Sequence, residues 1–291
     1  MNSKQMPNEE FIPFAIDVLN SHPGKTITLP LKGRSMRPFL EDQRGDRALL
    51  GAYLSLRMAV ETSAGQAQVP LGTFMLEEMR GDEQDPYLEV RGFDLMASAL
   101  ENIWSDSTAY PAMLTDILAN IAAAAGMGLD GVLACNRAQV ISRQPDWGNC
   151  TLRQALMWVC GAGGSFACVT RTGTLGIRPA RPDTDAALQL NTGHYMRLRH
   201  DERVFTFNRI IAWPKGTTDQ VSAAVDGSLA WLPQNSLTLR ANPLLTGSND
   251  QTNALLDGLR SALTGAAWQA LDLTWRGDPQ QTIGTAIPLT D

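Results

Sequence analysis

The residues with the clearest chemical potential lie near the N-terminus, in the segment GRSMRPFL that runs from Gly33 to Leu40. The alternating run from Thr26 to Leu29 predicts a strand before it, and the glycine and proline of the segment predict a tight turn. A serine hydroxyl such as that of Ser35 attacks a carbonyl carbon efficiently only when a neighbouring base takes its proton. This segment could therefore perform nucleophilic hydrolysis, provided that the fold brings a base to Ser35.

The same segment, followed by Gly45-Asp46, resembles the serine box of signal peptidases and self-cleaving repressors. In those peptidases the serine is the nucleophile, and its base is a lysine that burial keeps neutral. The resemblance is confined to the region of residues 11–50, and it implies that Ser35 is a nucleophile.

A lysine base is missing where those peptidases have one. The lysines are Lys4, Lys25, Lys32 and Lys215, and none lies in the few dozen residues after Ser35. Because a serine hydroxyl without a base is a poor nucleophile near neutral pH, we predict that the chain is not an enzyme and has no catalytic residue. The segment is interpreted as a strand–turn–strand hairpin, and a peptidase with Ser35 as nucleophile is kept as the alternative.

Neither the cysteines nor the histidines form a pattern that binds a metal or a cofactor. The four cysteines are Cys135, Cys150, Cys160 and Cys168. They include no CxxC pair and have no histidine at ligand spacing, so we interpret them as free buried thiols. The three histidines, which are scattered along the chain, are His22, His194 and His200. We therefore predict no metal site and no cofactor.

Three further patterns could suggest binding. Gly163-Gly164 follows a predicted helix, whereas a phosphate loop precedes one, so these glycines are interpreted as a helix C-terminus. The RGD sequence at residues 276–278 precedes a proline and is interpreted as a turn between strands. The seven tryptophans are interpreted as packing residues. A carbohydrate-binding or adhesion module that uses exposed tryptophans is a third, weaker hypothesis.

The composition is that of an ordinary globular protein and excludes some classes of function. The chain has 291 residues, of which 44% are hydrophobic and 19% charged, and its net charge is −6. An acidic chain of this kind is not expected to bind nucleic acid generally. No apolar run is long enough to span a membrane, and the N-terminal segment lacks the apolar core of a signal peptide. We therefore expect the chain to mature in the cytoplasm of the cell that makes it.

The stretch from Tyr87 to Met127 is the architectural centre of the sequence. It predicts a strand, a helix that carries apolar residues from Phe93 to Leu100, and a second helix that starts near Pro111. Residues 131–142 are predicted to be extended. Thr151 is predicted to cap another helix, and residues 165–178 to form a hairpin.

The remainder is predicted to be mostly extended, with a single strand over residues 204–213, a helix that opens at Asp250 and closing strands over residues 268–275 and 283–289. Residues 179–185, rich in proline and charge, form the best candidate for a boundary. We predict an α+β fold with two strand-rich, barrel-like β domains and a mixed helical and hairpin insertion between them. The expected domains are residues 1–84, 85–185 and 186–291.

The order of several short motifs resembles the tail-hub and baseplate proteins of tailed bacteriophages, over roughly residues 50–291. The motifs are V-P-L-G-T-F at 69–74, V-x-G-x-D-x-M at 90–96, Y-P-x-x-L at 110–114, T-L-R-x-A-L at 151–156, G-G-x-F-A at 163–167, A-N-P-L-L at 241–245 and T-W-x-G-D-P at 274–279. Each motif is weak alone, and their order makes the combination more specific. Residues 11–50 depart from this resemblance.

The resemblance implies a structural component of a phage or prophage tail. Such proteins form rings, commonly trimers, that join the tail tube to the tip, and their barrel-like domains line the ring. The resemblance implies a homo-oligomer that contacts other tail-tube or tail-tip proteins. It implies that the protein is assembled in the host bacterial cytoplasm and is located in the virion tail. Neither a membrane span nor specific nucleic-acid binding is expected. Proteins of this kind often continue past the position of Asp291, so a short member and a fragment are both open.

Overall fold

The fold, a computed structural model, combines helices with several small sheets. The structure describes residues 26–32, 53–62, 65–80, 87–181, 190–191, 195–206, 209–214, 221–224, 236–246, 249–264, 267–275 and 289–290. The mixture of helices and strands in these ranges confirms the predicted α+β class. The division into three domains stays a prediction.

The strands within the described ranges belong to six small sheets. They are β1 (Thr26–Lys32), β2 (Tyr53–Thr62), β3 (Gly65–Arg80), β4 (Tyr87–Asp94), β5 (Ala112–Met113), β6 (Leu129–Gly131), β7 (Val140–Ile141), β8 (Ser165–Val169), β9 (Leu175–Pro179), β10 (Leu190–Asn191), β11 (Tyr195–Thr206), β12 (Arg209–Trp213), β13 (Val221–Ala224), β14 (Ser236–Arg240), β15 (Ala267–Trp275) and β16 (Leu289–Thr290). Over the described ranges none of these sheets closes into a barrel, so the barrel-like domains stay a prediction.

Four α-helices lie within the described ranges. They are α1 (Leu95–Ser98), α2 (Leu114–Ala124), α3 (Leu152–Ala162) and α4 (Asp250–Leu263). A single 3₁₀ turn, Ala99–Glu101, follows α1. The three long helices form because their apolar residues recur every three or four positions, and it is these residues that are buried.

The N-terminal sheet is antiparallel and has the order β1-β4-β3-β2. Its β2–β3 hairpin changes register at Leu56/Arg57, which is the signature of a β-bulge. Gly92 of β4 lies where a Cβ would meet the backbone carbonyl of Met75 on β3, so the close approach of these strands requires glycine.

The central unit, residues 95–180, packs α2 against α3 and α3 against the β8–β9 hairpin. The predicted hairpin is confirmed, with its turn closed by the hydrogen bond from the Thr170 amide to the Thr174 carbonyl, 2.9 Å long. Strand β6 pairs in parallel with β9 and completes a three-stranded sheet. One buried core continues from this unit into β12, β14 and α4, because Ile210, Leu237 and Leu259 belong to it.

Three local predictions were wrong. The predicted helix that carries Phe93 starts only at Leu95, because Phe93 and Asp94 still pair with β3. The helix predicted near Pro111 starts at Leu114, because the chain stays extended to Met113, where β5 pairs with β7. The strand predicted over 204–213 is two strands, β11 and β12, which belong to different sheets.

The segment 131–142, predicted to be extended, forms strands only at its two ends. Asn136 has a positive φ of 57°, and the amide of Gln139 donates to the Asn136 carbonyl at 3.0 Å. This turn interrupts the extended chain. Asparagine is one of the few residues that adopts such a left-handed conformation readily.

Helix α3 begins at the predicted cap, Thr151, and Gln154 completes a capping box with it. The Gln154 amide donates to Thr151 Oγ1 at 3.3 Å, and the Thr151 amide donates to Gln154 Oε1 at 3.0 Å. We expect Thr151→Ala to lower the free energy of unfolding by about 1 kcal/mol, because one helix-end N–H loses its acceptor. Urea denaturation followed by circular dichroism measures this loss. Thr151→Ser keeps the hydroxyl and should keep most of the stability. If Thr151→Ser loses as much stability as Thr151→Ala, the hydroxyl of the cap does not stabilise the protein.

Candidate functional site

The residues with predicted chemical potential fall mostly outside the described ranges. Ser35, the RGD sequence at 276–278 and Lys215 are not among the described residues. Lys32 ends β1 and His200 lies in β11, at positions given by backbone alone. The structure therefore does not test whether any lysine approaches Ser35, and the peptidase hypothesis stays a prediction.

The four cysteines are reduced thiols, as predicted, and three of them are buried. Burial raises the pKa of the Cys135 thiol to about 12, although nearby Arg137 acts in the opposite direction. Burial, and then the neighbouring Cys168, also raise the pKa of Cys160. Thiols with raised pKa values are poor nucleophiles, because the thiolate is the reactive form. Within the part of the chain that the structure describes, no group of three or more His, Cys, Asp or Glu residues could hold a metal ion.

Asp106 is the centre of a polar network in the central unit. Its carboxylate accepts hydrogen bonds from the Tyr110 hydroxyl at 2.7 Å, from Trp147 Nε1 at 2.7 Å and from the Thr108 amide at 2.9 Å. Thr108 in turn accepts from Asn120 Nδ2 of α2 at 2.9 Å. The network therefore connects the loop after α1 to α2 and to the loop before α3.

Electrostatics favour the ionised form of Asp106. Burial alone would raise its pKa, but the hydrogen bonds from Thr108, Tyr110 and Trp147 outweigh burial, and the pKa lies below its ordinary value. Burial and the carboxylate together raise the pKa of Tyr110, so its hydroxyl stays a donor. Three donors are directed at the Asp106 carboxylate, so the network stabilises the two loops that supply them. Both carboxylate oxygens of Asp106 already accept hydrogen bonds from these donors.

An aromatic cluster lies beside this network. The ring of Trp147 meets the ring of Trp104 edge-on and stacks on the ring of Trp158. In both pairs the ring centroids are 6.2 Å apart. Trp104 and Trp147 are only 5% and 6% exposed. For these two tryptophans the predicted packing role is confirmed, and they cannot serve as a surface platform for a sugar.

Two buried or half-buried amides join α4 and its preceding loop to the central unit. Asn136 Nδ2 donates to the carbonyl of Ala162 at 2.7 Å and to that of Leu255 at 2.9 Å. Asn242 Nδ2 donates to the carbonyl of Trp158 at 3.0 Å, and its Oδ1 accepts from the Leu244 amide at 3.0 Å. These contacts fix the position of α4 relative to α3.

One surface cleft is formed where α4 begins, and we call it the polar cleft. One wall consists of residues 141–146, and the other consists of Pro243, Thr246 and residues 249–251. Its volume is about 630 Å³, within the ~300–1,000 Å³ typical of small-molecule sites. Gln251 joins the walls, since its Oε1 accepts from the Ser142 amide at 3.2 Å and its Nε2 donates to the Leu244 carbonyl at 3.0 Å.

Sequence reasoning identified neither Asp106 nor the polar cleft. The Asp-Ser-Thr sequence at 106–108 contained a usable signal, because an aspartate that accepts from the amide two residues later is a common turn. No local signal predicts the cleft, because its two walls are separated by about a hundred residues and meet only in the fold.

No helix in the described ranges is long and apolar enough to cross a membrane. No protein-family model matches the sequence, and no curated protein matches it at a significant level.

The solved structures that are similar to this chain include three tail proteins. The tail protein from Neisseria meningitidis MC58 has a TM-score of 0.43 and 14% identity, over 70% of this chain and 65% of that chain. The 43 kDa tail protein of prophage MuSo2 from Shewanella oneidensis has a TM-score of 0.48 and 13% identity, over 92% and 85%. Prophage tail protein gp18 from Listeria monocytogenes EGD-e has a TM-score of 0.40 and 10% identity, over 70% and 66%. The chain thus spans just under two thirds of the first and third proteins, and at these values the likeness does not place it in a family.

Proposed function

We propose that the chain is a structural component of a bacteriophage or prophage tail and acts in the tail-tip hub or baseplate as a ring-forming homo-oligomer. The observation that carries the proposal is that the described residues of the tail-hub motifs help to build the fold; residues 276–279 of the last motif lie outside the described ranges. The proposal agrees with the tail proteins to which the backbone is similar, although it does not rest on them.

The motifs of the first half occupy positions with an evident structural role. In V-x-G-x-D-x-M, Gly92 allows the close approach of β3 and β4, and Asp94 Oδ1 accepts from the Met96 amide at 3.0 Å to start α1. Met96 itself is 1% exposed and belongs to the core. In V-P-L-G-T-F, Phe74 is buried against the same sheet. These side chains determine how a strand passes into a helix.

The motifs of the second half act in the same way. Thr151 caps α3, and Gly164 has the positive φ of 62° that a turn from a helix into a strand requires. In A-N-P-L-L, Asn242 joins the loop to α3, while Leu244 and Leu245 are fully buried. The described motif residues named here serve the architecture of the fold, which suits a protein whose role is assembly.

In the proposed ring each copy contacts the next one head to tail, and the rotation between neighbouring copies brings the last copy into contact with the first. A trimer is the proposed number, and other tail-tube or tail-tip proteins are the proposed partners. The described surface carries large apolar side chains that such contacts could bury; they are Tyr53, Ile103, Met113, Leu129, Val132 and Val140. The proposed location is the virion tail, after assembly in the host bacterial cytoplasm.

The prediction is a discrete oligomer in solution. Size-exclusion chromatography with light scattering should give a mass that is a small multiple of the 31.6 kDa chain, three for the proposed trimer, and independent of salt. The side chain of Ile103 is 74% exposed, and Ile103→Asp should dissociate the oligomer if this side chain lies in the contact. Ser105→Asp adds the same charge at a nearby exposed polar position and tests the effect of charge alone. A protein that stays monomeric over the whole concentration range, alone and with tail partners, contradicts the proposal.

A further inference from the structure

We propose that the polar cleft binds a short, uncharged saccharide. The cleft is already assembled in the isolated chain, because Gln251 joins its two walls and the buried Pro145 and Pro243 stiffen them. A site with fixed walls loses little conformational entropy when a ligand enters. The inference concerns a site that the proposed tail role does not use.

Polar and apolar side chains both line the cleft, and the polar ones are more numerous than the few polar groups of a typical small-molecule site. Of the eleven described residues that line it, only Ile141, Pro145 and Pro243 lack a hydrogen-bonding side chain. The other eight carry hydroxyl, amide, carboxylate and guanidinium groups, so both donors and acceptors are present in the lining. Such a lining suits a ligand that carries both a donor and an acceptor on each of several neighbouring atoms, and the hydroxyl groups of a sugar have that property.

Three side chains in the cleft are available to a ligand. Arg143, Gln144 and Asp250 are exposed, and within the described part of the chain none of them makes a hydrogen bond or an ion pair with another residue. The planar guanidinium of Arg143 can donate to two adjacent oxygens at once, and the carboxylate of Asp250 can accept from two adjacent hydroxyls. Neighbouring sugar hydroxyls match both groups.

The charges and the backbone of the cleft argue against other ligands. Among the described lining residues, one arginine lies with two aspartates, Asp146 and Asp250, so their charges nearly balance and favour neither a phosphate nor a polyamine. An extended peptide is usually bound by adding a strand to a sheet edge, through backbone donors and acceptors. The side-chain groups here come from a loop and from the start of α4 rather than from a strand edge, which favours a sugar over a peptide.

The test uses the full-length protein on a printed array of defined saccharides of one to four units, followed by isothermal titration with the strongest binder. We expect millimolar to micromolar binding, and Arg143→Ala and Asp250→Ala should each weaken it at least about tenfold, because each removes a charge-assisted hydrogen bond. Arg153→Ala, which removes a half-buried arginine that pairs with Glu101 outside the cleft, is the control and should bind normally. Circular dichroism establishes that each variant is folded.

Each outcome decides the inference. No binding on the array or in titration overturns it, and so does saccharide binding that both cleft variants leave unchanged. Binding of a peptide array of equal size, with loss in Arg143→Ala, would also overturn it in favour of a peptide site. Because oligomeric mass is measured separately, a monomeric protein that binds saccharide would remove the ring proposal and leave this one standing.

Discussion

Replacing Asp106 with alanine is expected to lower the free energy of unfolding by about 2–3 kcal/mol at neutral pH. The change removes three hydrogen bonds to a charged acceptor and leaves the Tyr110 hydroxyl, the Trp147 indole N–H and the Thr108 amide without their partner. The site is partly exposed, so water can replace some of this loss, and the full sum of three buried penalties is not expected. Chemical denaturation followed by tryptophan fluorescence measures the change, because Trp147 is one of the reporters.

Two variants isolate the carboxylate. Tyr110→Phe removes one donor only and should cost about 1 kcal/mol or a little more. Asp257→Ala removes an exposed aspartate that pairs with Arg260 at 3.4 Å on α4, and it should cost less than about 1 kcal/mol. An Asp106→Ala loss no larger than that of Asp257→Ala would show that the network does not stabilise the fold.

Acidification provides an independent check on Asp106. Its pKa in the folded protein lies below the ordinary value of 3.8 that applies to the unfolded chain, so the folded state favours the charged form. The stabilisation is therefore fully present well above pH 3.8 and is lost as the pH falls through the lower, folded value. The stability difference between the wild type and Asp106→Asn should be constant near neutral pH and shrink in acid. A difference that grows in acid would contradict the assignment of a lowered pKa.

The elements that the sequence predicts well are those with a local cause. Helices α2, α3 and α4 repeat apolar residues at the helical period, and the cap of α3 follows from Thr151 alone. The β8–β9 hairpin is likewise local, because its strands are separated only by a short turn with Gly173. In each case the residues that form the element are also the residues that specify it.

The elements that sequence reasoning missed are decided by distant partners. Strands β5 and β7 have two residues each and exist only because they meet across the fold. Pro111 suits the start of a helix, yet the pairing of β5 with β7 keeps the chain extended as far as Met113. The polar cleft has the same origin, since Ser142 and Gln251 must first be brought together. Local propensity is a weak prior where tertiary contacts compete with it.

The second large effect is expected at Asn136, the amide that holds α4 on the central unit. Asn136→Ala should lower the free energy of unfolding by about 3–4 kcal/mol, because two carbonyl groups lose their donor and alanine must adopt a left-handed backbone conformation that costs about 1–2 kcal/mol. The structure gives both reasons: Nδ2 contacts the Ala162 and Leu255 carbonyls, and φ is 57°. Denaturation in urea at neutral pH, compared with the wild type, measures the loss.

Glycine at the same position separates the two causes. Asn136→Gly also removes the amide but accepts the positive φ without strain, so it should be more stable than Asn136→Ala by about 1 kcal/mol. Asn102→Ala removes an exposed amide with a single hydrogen bond to the Ala99 carbonyl and should cost about 1 kcal/mol or less.

Gly258→Ala tests the same contact from α4. A Cβ at position 258 would overlap the Asn136 carboxamide, so this change should destabilise the protein although alanine favours helices. If Gly258→Ala instead stabilises the protein, α4 does not lie against Asn136 as described, and the buried core does not continue from the central unit into α4 through this contact.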